Sequence, residues 1–354
     1  MKNLFKKIVS VLMLAVLAIT MFGCGSESND DYSIHTDLQK SYLSGDYKLI
    51  RTYVKGNEEL SKPKPIVITW NASEEITNFD FYLSETKKFE NFRLYETNTN
   101  KVELINLKIN TVYYWYVEYN ENNELVKTKV ESFKTVGQTP RNLDIDGITN
   151  VRDLGGYKID KNKYTNQGLI YRSGRLSENE TAEKLITDKG IKEMLEVLGV
   201  KSELDVRKTS DNENGGLTSS PLGNAVNYNS VPMKSGGNYL TLNTSVFKEV
   251  FKVFGNKENY PIVIHCSIGT DRTGVVCFLI NALLGVSEED LYKDYLFSMF
   301  GYITVNRVPS TIDDYLKKVK MAEGDTLKEQ TYNYLVGLGV AETDLNNLIE
   351  IMTE

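Results

Sequence analysis

The stretch that decides the fold is His265-Cys266-Ser267-Ile268-Gly269-Thr270-Asp271-Arg272-Thr273-Gly274. It follows a β-branched run at residues 261–264 and opens an apolar helical pattern at residues 275–280. A strand, a tight polar loop and a helix N-terminus in this order predict a concave ring of backbone N–H groups, to which the helix dipole adds partial positive charge. Because such a ring binds a tetrahedral oxyanion, we expect the loop to bind phosphate through Ser267, Ile268, Gly269, Thr270, Asp271 and Arg272.

A nucleophile and a phosphate clamp stand at the two ends of this loop. Cys266 is its first residue and Arg272 its last. The planar guanidinium matches two phosphate oxygens at once, and a cysteine attacks phosphorus only as the thiolate. His265, the helix N-terminus and Arg272 should lower the pKa of the thiol, and the Thr273 hydroxyl can donate to the thiolate. The loop therefore predicts phosphate-ester cleavage through a phosphocysteine intermediate, with neither a metal nor another cofactor required.

The same stretch resembles the H-C-x5-R-T/S signature of the cysteine-based protein-tyrosine phosphatases. It is most similar to a bacterial subgroup whose loop reads H-C-x-x-G-K-D-R-T-G. Three further blocks of that subgroup follow the family's order, namely N-V-R-D-L-G-G-Y at residues 150–157, Y-R-S-G-R-L at 171–176 and L-D-V-R at 204–207. The resemblance covers residues 146–354 and implies a phosphatase-type α/β sandwich with its site at the carboxyl end of a strand.

One departure from the subgroup concerns the substrate. Thr270 stands where the subgroup commonly has a lysine, which in relatives that act on phosphoinositides is taken to help hold a highly charged head group. Its absence favours phosphotyrosine over a phosphoinositide or an inositol phosphate, which stays the alternative.

The acid that protonates the leaving group is left open by the sequence. Tyrosine phosphatases usually supply an aspartate from a W-P-D loop, but residues 212–260 contain neither aspartate nor tryptophan. Asp271 is the carboxyl nearest to the predicted anion site, and the resemblance offers the same position. Asp205 and Asp211 compete with it, and Asp271 could instead stiffen the loop by accepting backbone hydrogen bonds.

The first residues predict targeting rather than structure. Three lysines precede an apolar run at residues 8–22, which suits a signal peptide over residues 1–23 better than a membrane span. Gly23-Cys24 then resembles a bacterial lipobox, although Met21-Phe22 is atypical and an ordinary secretory signal is the alternative. We expect lipidation at Cys24, a flexible tether over residues 24–44, and anchoring to the cell membrane on its extracytoplasmic face.

Residues 45–137 predict a small all-β sandwich domain. Short aromatic strands with period-two alternation are separated by polar turns. The strand that ends in Trp70 and the Tyr-x-Trp-x-Val pattern at residues 113–117 resemble a fibronectin type III module. No site chemistry is visible there, so we expect a spacer or docking module, with residues 138–145 as the linker.

The remainder, residues 146–354, alternates strand and helix and predicts a mostly parallel central sheet flanked by helices. We expect a helix from Ser177 to about residue 186, and three helices within residues 311–352. Segments 209–222 and 234–238 are candidate lids. Asp205–Arg207 and Arg152–Asp153 are candidate ion pairs.

Composition narrows the classes of function. The net charge of −7 argues against nucleic acid as a partner. The chain has only two histidines, His35 and His265, which disfavours a Ser-His-Asp triad and histidine-rich metal sites. The expected partners are a phosphorylated protein or a small phosphate ester and, through the lipid, a membrane. A non-catalytic phosphate-binding adhesion lipoprotein is the alternative from another class.

Overall fold

The computed structural model describes residues 32–209 and 212–354. The predicted signal peptide, the lipidation residue Cys24 and the candidate acid Asp211 lie outside these residues. Within them, no helix has both the length and the apolar character needed to cross a membrane.

The described part of the chain contains helices at residues 37–53, where a tether and the start of a β-domain were predicted. Helix α1 (Asp37–Ser44) begins with a capping box between Thr36 and Gln39. A 3-10 turn (Tyr47–Leu49) and the short α2 (Ile50–Tyr53) follow. Tyr42 and Ile50 are buried in the same apolar cluster as the catalytic half. The tether predicted up to residue 44 and the β-domain start at residue 45 are therefore wrong, because this segment buries an apolar face.

The all-β part runs from residue 66 to residue 134. Strands β1 (Ile66–Thr69) and β4 (Lys101–Leu104) pair antiparallel. The second, antiparallel sheet contains β2 (Phe79–Ser84), β3 (Arg93–Thr97), β5 (Val112–Glu121), β6 (Glu124–Lys127) and β7 (Glu131–Lys134). Its order is β3-β2-β5-β6, and β7 also pairs with β5. Inward residues of both sheets share one core, in which Phe81 stacks between Trp70 and Trp115. The fibronectin resemblance stays a prediction.

The second half is built on a six-stranded sheet, so the α/β class is confirmed. Its strands are β8 (Arg141–Asn142), β9 (Arg152–Asp153), β12 (Ile170–Ser173), β13 (Ser202–Asp205), β14 (Asn227–Ser230) and β15 (Ile262–His265). A separate hairpin consists of β10 (Lys158–Asp160) and β11 (Lys163–Tyr164). The order is β14-β13-β15-β12-β9-β8, with the first four strands parallel. Because β8 pairs with β9, the predicted linker 138–145 already contains sheet.

Helices cover the sheet. They are α3 (Asp188–Lys192), which continues into a π-helical turn (Glu193–Val197), α4 (Tyr239–Leu242), α5 (Phe247–Gly255), α6 (Arg272–Leu284), α7 (Glu288–Phe297), α8 (Ser310–Val319), α9 (Leu327–Gly337) and α10 (Glu342–Thr353). Three 3-10 turns (Thr244–Val246, Lys257–Asn259 and Ser298–Phe300) complete the list for the described residues. Every residue of α6 is buried, and the helix ends at Gly285 with φ 86°. The three helices predicted within residues 311–352 are confirmed.

Two local predictions are wrong. Residues 177–186 form no helix, because Ser177 pairs with Lys184 in an isolated bridge and its hydroxyl accepts from Arg207 instead of capping. Arg152 and Asp153 do not bond each other, because neighbouring residues of a strand point to opposite faces. Arg152 Nε donates instead to Asp294 at 2.8 Å, and Asp153 pairs with Arg141 at 2.6 Å.

Candidate active site

The predicted phosphate loop lies between β15 and α6. All four residues of β15 are buried, and the strand pairs with parallel neighbours on both sides. The loop therefore leaves the carboxyl end of a rigid, central strand and enters a helix N-terminus, where the unpaired N–H groups and the helix dipole favour an anion. This is the placement expected from the sequence.

Side chains behind the loop orient its peptide groups. Arg175 Nη1, Asn150 Nδ2 and Arg172 Nη2 donate to the carbonyl oxygens of residues 267–269, in that order, at 3.3, 3.0 and 2.8 Å. The N–H of the next residue points away from each carbonyl, because a trans peptide is planar. The N–H groups of residues 268–270 therefore face the concave side, and none bonds another described residue. The sequence singled out the blocks that contain these three supporting residues but did not reveal this role.

Cys266 lies at the base of the ring with 2% of its surface exposed. Burial by itself raises the pKa of a thiol, but the nearby Arg272 guanidinium and the polar hydroxyl and amide of Thr273 bring the pKa of Cys266 below its ordinary value. Cys277, fully buried on α6, shows the opposite result, because burial outweighs the lowering effect of Arg172 and raises its pKa to about 12. The two cysteines therefore differ in reactivity because of their surroundings.

Arg272 is held by a residue that sequence reasoning missed. Its Nη1 and Nη2 donate to the two carboxylate oxygens of Glu213 at 2.7 and 2.6 Å. The Ser267 hydroxyl donates to the same carboxylate at 2.5 Å. Burial opposes ionisation, yet these donors lower the pKa of Glu213 to about 2. Glu213 belongs to the segment 209–222 that the sequence marked as a candidate lid, and no spacing motif links it to Arg272.

The two candidate acids within the described residues, Asp271 and Asp205, lie in different surroundings. Arg307 donates to both oxygens of Asp271 at 2.8 and 2.7 Å, and Tyr295 donates to one of them at 3.1 Å. Asp205 is fully buried and binds Arg207, as predicted for that pair. Asp271 is therefore the described candidate that lies on the loop itself. It must release Arg307 before it can reach a leaving group.

A second buried polar cluster lies beneath the loop. Its members are Glu203, Asp205, Arg207 and His265, which are all fully buried. Ligand atoms of the two carboxylates and the imidazole lie within 4.8 Å of one another, a spacing that could hold a metal ion. Their oxygens, however, already accept from Arg207, His265 and Ser220. The four side chains therefore form an ion-pair network, and the carboxylate oxygens that a metal ion would need are already used in hydrogen bonds.

Comparison with known proteins gives a family for the second half of the chain. Residues 143–354 match the model of the tyrosine phosphatase family. A protein of Cupriavidus necator, named as a candidate tyrosine-protein phosphatase, is 25% identical over 186 residues, which is 46% of this chain and 64% of that relative. A second relative with the same type of name, from Scheffersomyces stipitis, is 30% identical over 95 residues, or 25% of this chain and 44% of the relative.

Among solved structures, the core catalytic domain of the PP-IP phosphatase Siw14 from S. cerevisiae, in complex with citrate, matches with a TM-score of 0.30 and 18% identity. That match covers 51% of this chain and 93% of the other. A second structure of the Siw14 catalytic core has the same TM-score and identity, and covers 45% and 83%. The family model spans more than half of this chain, which therefore belongs to the tyrosine phosphatase family.

Proposed function

We propose that this chain is a protein-tyrosine phosphatase that acts through a phosphocysteine intermediate on Cys266. The observation that carries the proposal is the arrangement of the loop. A buried thiol with a lowered pKa lies at the base of a ring of free N–H groups, and a guanidinium anchored by Glu213 stands at the rim. Sulfur, amides and guanidinium thus converge on one oxyanion position.

In the first step the Cys266 thiolate attacks the phosphorus of a bound monoester. An S–P bond forms and the ester P–O bond breaks, while the amides and Arg272 neutralise the phosphoryl oxygens. The leaving oxygen takes a proton from an acid, and Asp271 is our candidate because it lies on the loop. In the structure Arg307 and Tyr295 donate to its carboxylate, so Asp271 has to leave Arg307 and take up a proton from solvent before it transfers that proton to the leaving oxygen.

In the second step water attacks the phosphocysteine. A P–O bond to the water oxygen forms, the S–P bond breaks, and inorganic phosphate leaves. The leaving sulfur recovers its negative charge, and Arg272 together with the nearby Thr273 hydroxyl and amide stabilises it. Asp271 would accept the proton of the attacking water in this half-reaction.

The surroundings of the loop favour a substrate with one phosphate on a long, rigid group. Cys266 and Arg272 are only 2% and 5% exposed, so the phosphate has to enter deeply, which suits a phenyl ester. The two outer arginines that contact the loop are each paired with a carboxylate, Arg175 with Glu178 and Arg307 with Asp271. Thr270, where a lysine would serve a polyphosphorylated head group, is fully buried.

For localisation we propose a lipid-anchored protein on the extracytoplasmic face of the cell membrane. The support is the sequence of residues 1–24 alone. The β-sandwich of residues 66–134 would then be a fibronectin type III-like spacer between the membrane and the catalytic part.

Turnover of para-nitrophenyl phosphate, with inhibition by vanadate, tests the reaction. Cys266→Ser should abolish turnover and keep the fold, whereas Cys277→Ala, the matched control, should keep both. Residual activity above a few per cent in Cys266→Ser would refute the phosphocysteine step, and a wild-type protein that binds phosphate without turnover would indicate the adhesion alternative. A panel of phosphotyrosine peptides, phosphoinositides and inositol phosphates then decides the substrate class.

A further inference from the structure

We propose that Glu203 is a positioning residue that keeps His265 doubly protonated, and that the imidazolium in turn fixes the first peptide group of the phosphate loop. The kinetic part of this inference rests on the proposed phosphatase function. The protonation state of His265 is independent of that function, and it can be measured without substrate.

Both ring nitrogens of His265 lie close to oxygen atoms that can only accept hydrogen bonds. Its Nε2 lies 2.8 Å from Glu203 Oε1, and its Nδ1 lies 3.3 Å from the Cys266 carbonyl oxygen. Asp205 Oδ1 is 3.9 Å from the same Nδ1. Carbonyl and carboxylate oxygens only accept, and a neutral imidazole carries one N–H. Both contacts are hydrogen bonds only if both ring nitrogens are protonated.

The buried charges around His265 balance only when its imidazole is protonated. Glu203 and Asp205 from β13 face His265 and Arg207, and all four side chains are fully buried. From β14 the neutral Tyr228 hydroxyl donates to Asp205 at 3.1 Å. Two carboxylates balance one guanidinium and one imidazolium, whereas a neutral imidazole would leave one buried negative charge uncompensated, at a large free-energy cost.

The carboxylates near His265 also favour its protonated form. Burial lowers the pKa of His265, but Asp205 and the hydrogen bond to Glu203 outweigh it and leave the pKa above its ordinary value. Arg207 acts in the opposite sense but more weakly. These charges therefore favour the protonated form of His265 that the hydrogen-bonding geometry requires.

The consequence for the loop lies at its first peptide. When Nδ1–H donates to the Cys266 carbonyl, the N–H of Ser267 turns to the opposite side, towards the anion site. This repeats, one residue earlier, what Arg175, Asn150 and Arg172 do for the next carbonyls. Glu203 also accepts a hydrogen bond from the Ser220 hydroxyl, on the carboxylate oxygen that does not contact the imidazole.

Nitrogen-15 NMR on histidine-labelled protein tests the inference, because the chain has only two histidines. His35 is the internal reference. Its Nε2 lies 2.8 Å from the Gln138 carbonyl oxygen, a contact that a single ring N–H satisfies, and burial lowers its pKa, so it should show a neutral ring. His265 should show two protonated nitrogens from about pH 6 to about pH 8 in the wild-type protein.

Glu203→Gln is the test variant and Ser220→Ala the matched control, which keeps the carboxylate. In Glu203→Gln, His265 should lose its second proton within that pH range, and kcat/KM should fall about 10-fold in parallel. In Ser220→Ala the protonation of His265 and the value of kcat/KM should both stay near those of the wild type. A neutral His265 in the wild type at pH 7, or an unchanged titration in Glu203→Gln, would overturn the proposal.

If Glu203→Gln does not fold, as judged by circular dichroism, the wild-type spectrum alone decides. A wild type that shows the imidazolium but hydrolyses no phosphate ester would refute the proposed function and leave the protonation state standing.

Discussion

Replacing Arg272 with lysine tests how the phosphate is held. In the structure the guanidinium gives two hydrogen bonds to Glu213, and in the proposed mechanism it also has to bind the phosphate oxygens. A single ammonium cannot serve both partners with that geometry. If two hydrogen bonds to charged groups are lost at ~1.5 kcal/mol each, the transition state loses ~3 kcal/mol, or about 10²-fold in rate.

The assay is kcat/KM for para-nitrophenyl phosphate together with the inhibition constant of vanadate, and both should deteriorate. Arg175→Lys is the matched control, since Arg175 contacts the loop only from outside, at the Ser267 carbonyl. It should change kcat/KM by no more than a few-fold. If Arg272→Lys stayed within about 5-fold of the wild type, the clamp would have to lie elsewhere and the reasoning would be refuted.

Three further predictions follow from the site and a fourth from the N-terminal sequence. Glu213→Gln, which removes the charge that anchors Arg272, should weaken vanadate inhibition by about 10-fold, and tighter inhibition would show that Glu213 competes with phosphate. Asp271→Asn should slow phosphotyrosine hydrolysis ~10²-fold more than that of para-nitrophenyl phosphate, whose phenolate leaves unaided, and equal losses would make it a loop-shaping residue. Alkylation of Cys266 by iodoacetate should reach half its maximal rate below pH 9.0, the ordinary thiol value, because the thiolate is stabilised, and a midpoint at or above that value would contradict the lowered pKa. Full-length protein expressed in bacteria should incorporate labelled palmitate and lose it in Cys24→Ala, and an unlabelled wild type would refute the lipobox.

Sequence reasoning succeeded where the relevant interactions are local. The nucleophile, the arginine and the N–H ring lie within ten consecutive residues, and their geometry follows from a strand that passes directly into a helix. The end of α6 at Gly285 and the cap of α7 at Ser287 are local for the same reason, since each uses hydrogen bonds within one turn. Such features depend on residue type and spacing alone.

The predictions from sequence were wrong where the local pattern is weak and packing determines the secondary structure. Residues 37–53 contain many polar residues and were expected to be a tether and a β-domain start. Their few apolar side chains, Tyr42 and Ile50 among them, are nevertheless buried against the catalytic half. Conversely, the helix expected from Ser177 was lost because the Ser177 hydroxyl binds Arg207, a partner 30 residues away.

By itself, the sequence determined the reactive loop and the family, because the thiol, the amide ring and the arginine depend on contiguous residues. Only the tertiary structure decided what surrounds that loop. Glu213 reaches Arg272, Arg307 reaches Asp271 and Glu203 reaches His265 across 59, 36 and 62 positions. The sheet order places β13 beside β15, and buried opposite charges must then pair. No spacing along the chain encodes that adjacency, because it is fixed by how strands and helices pack.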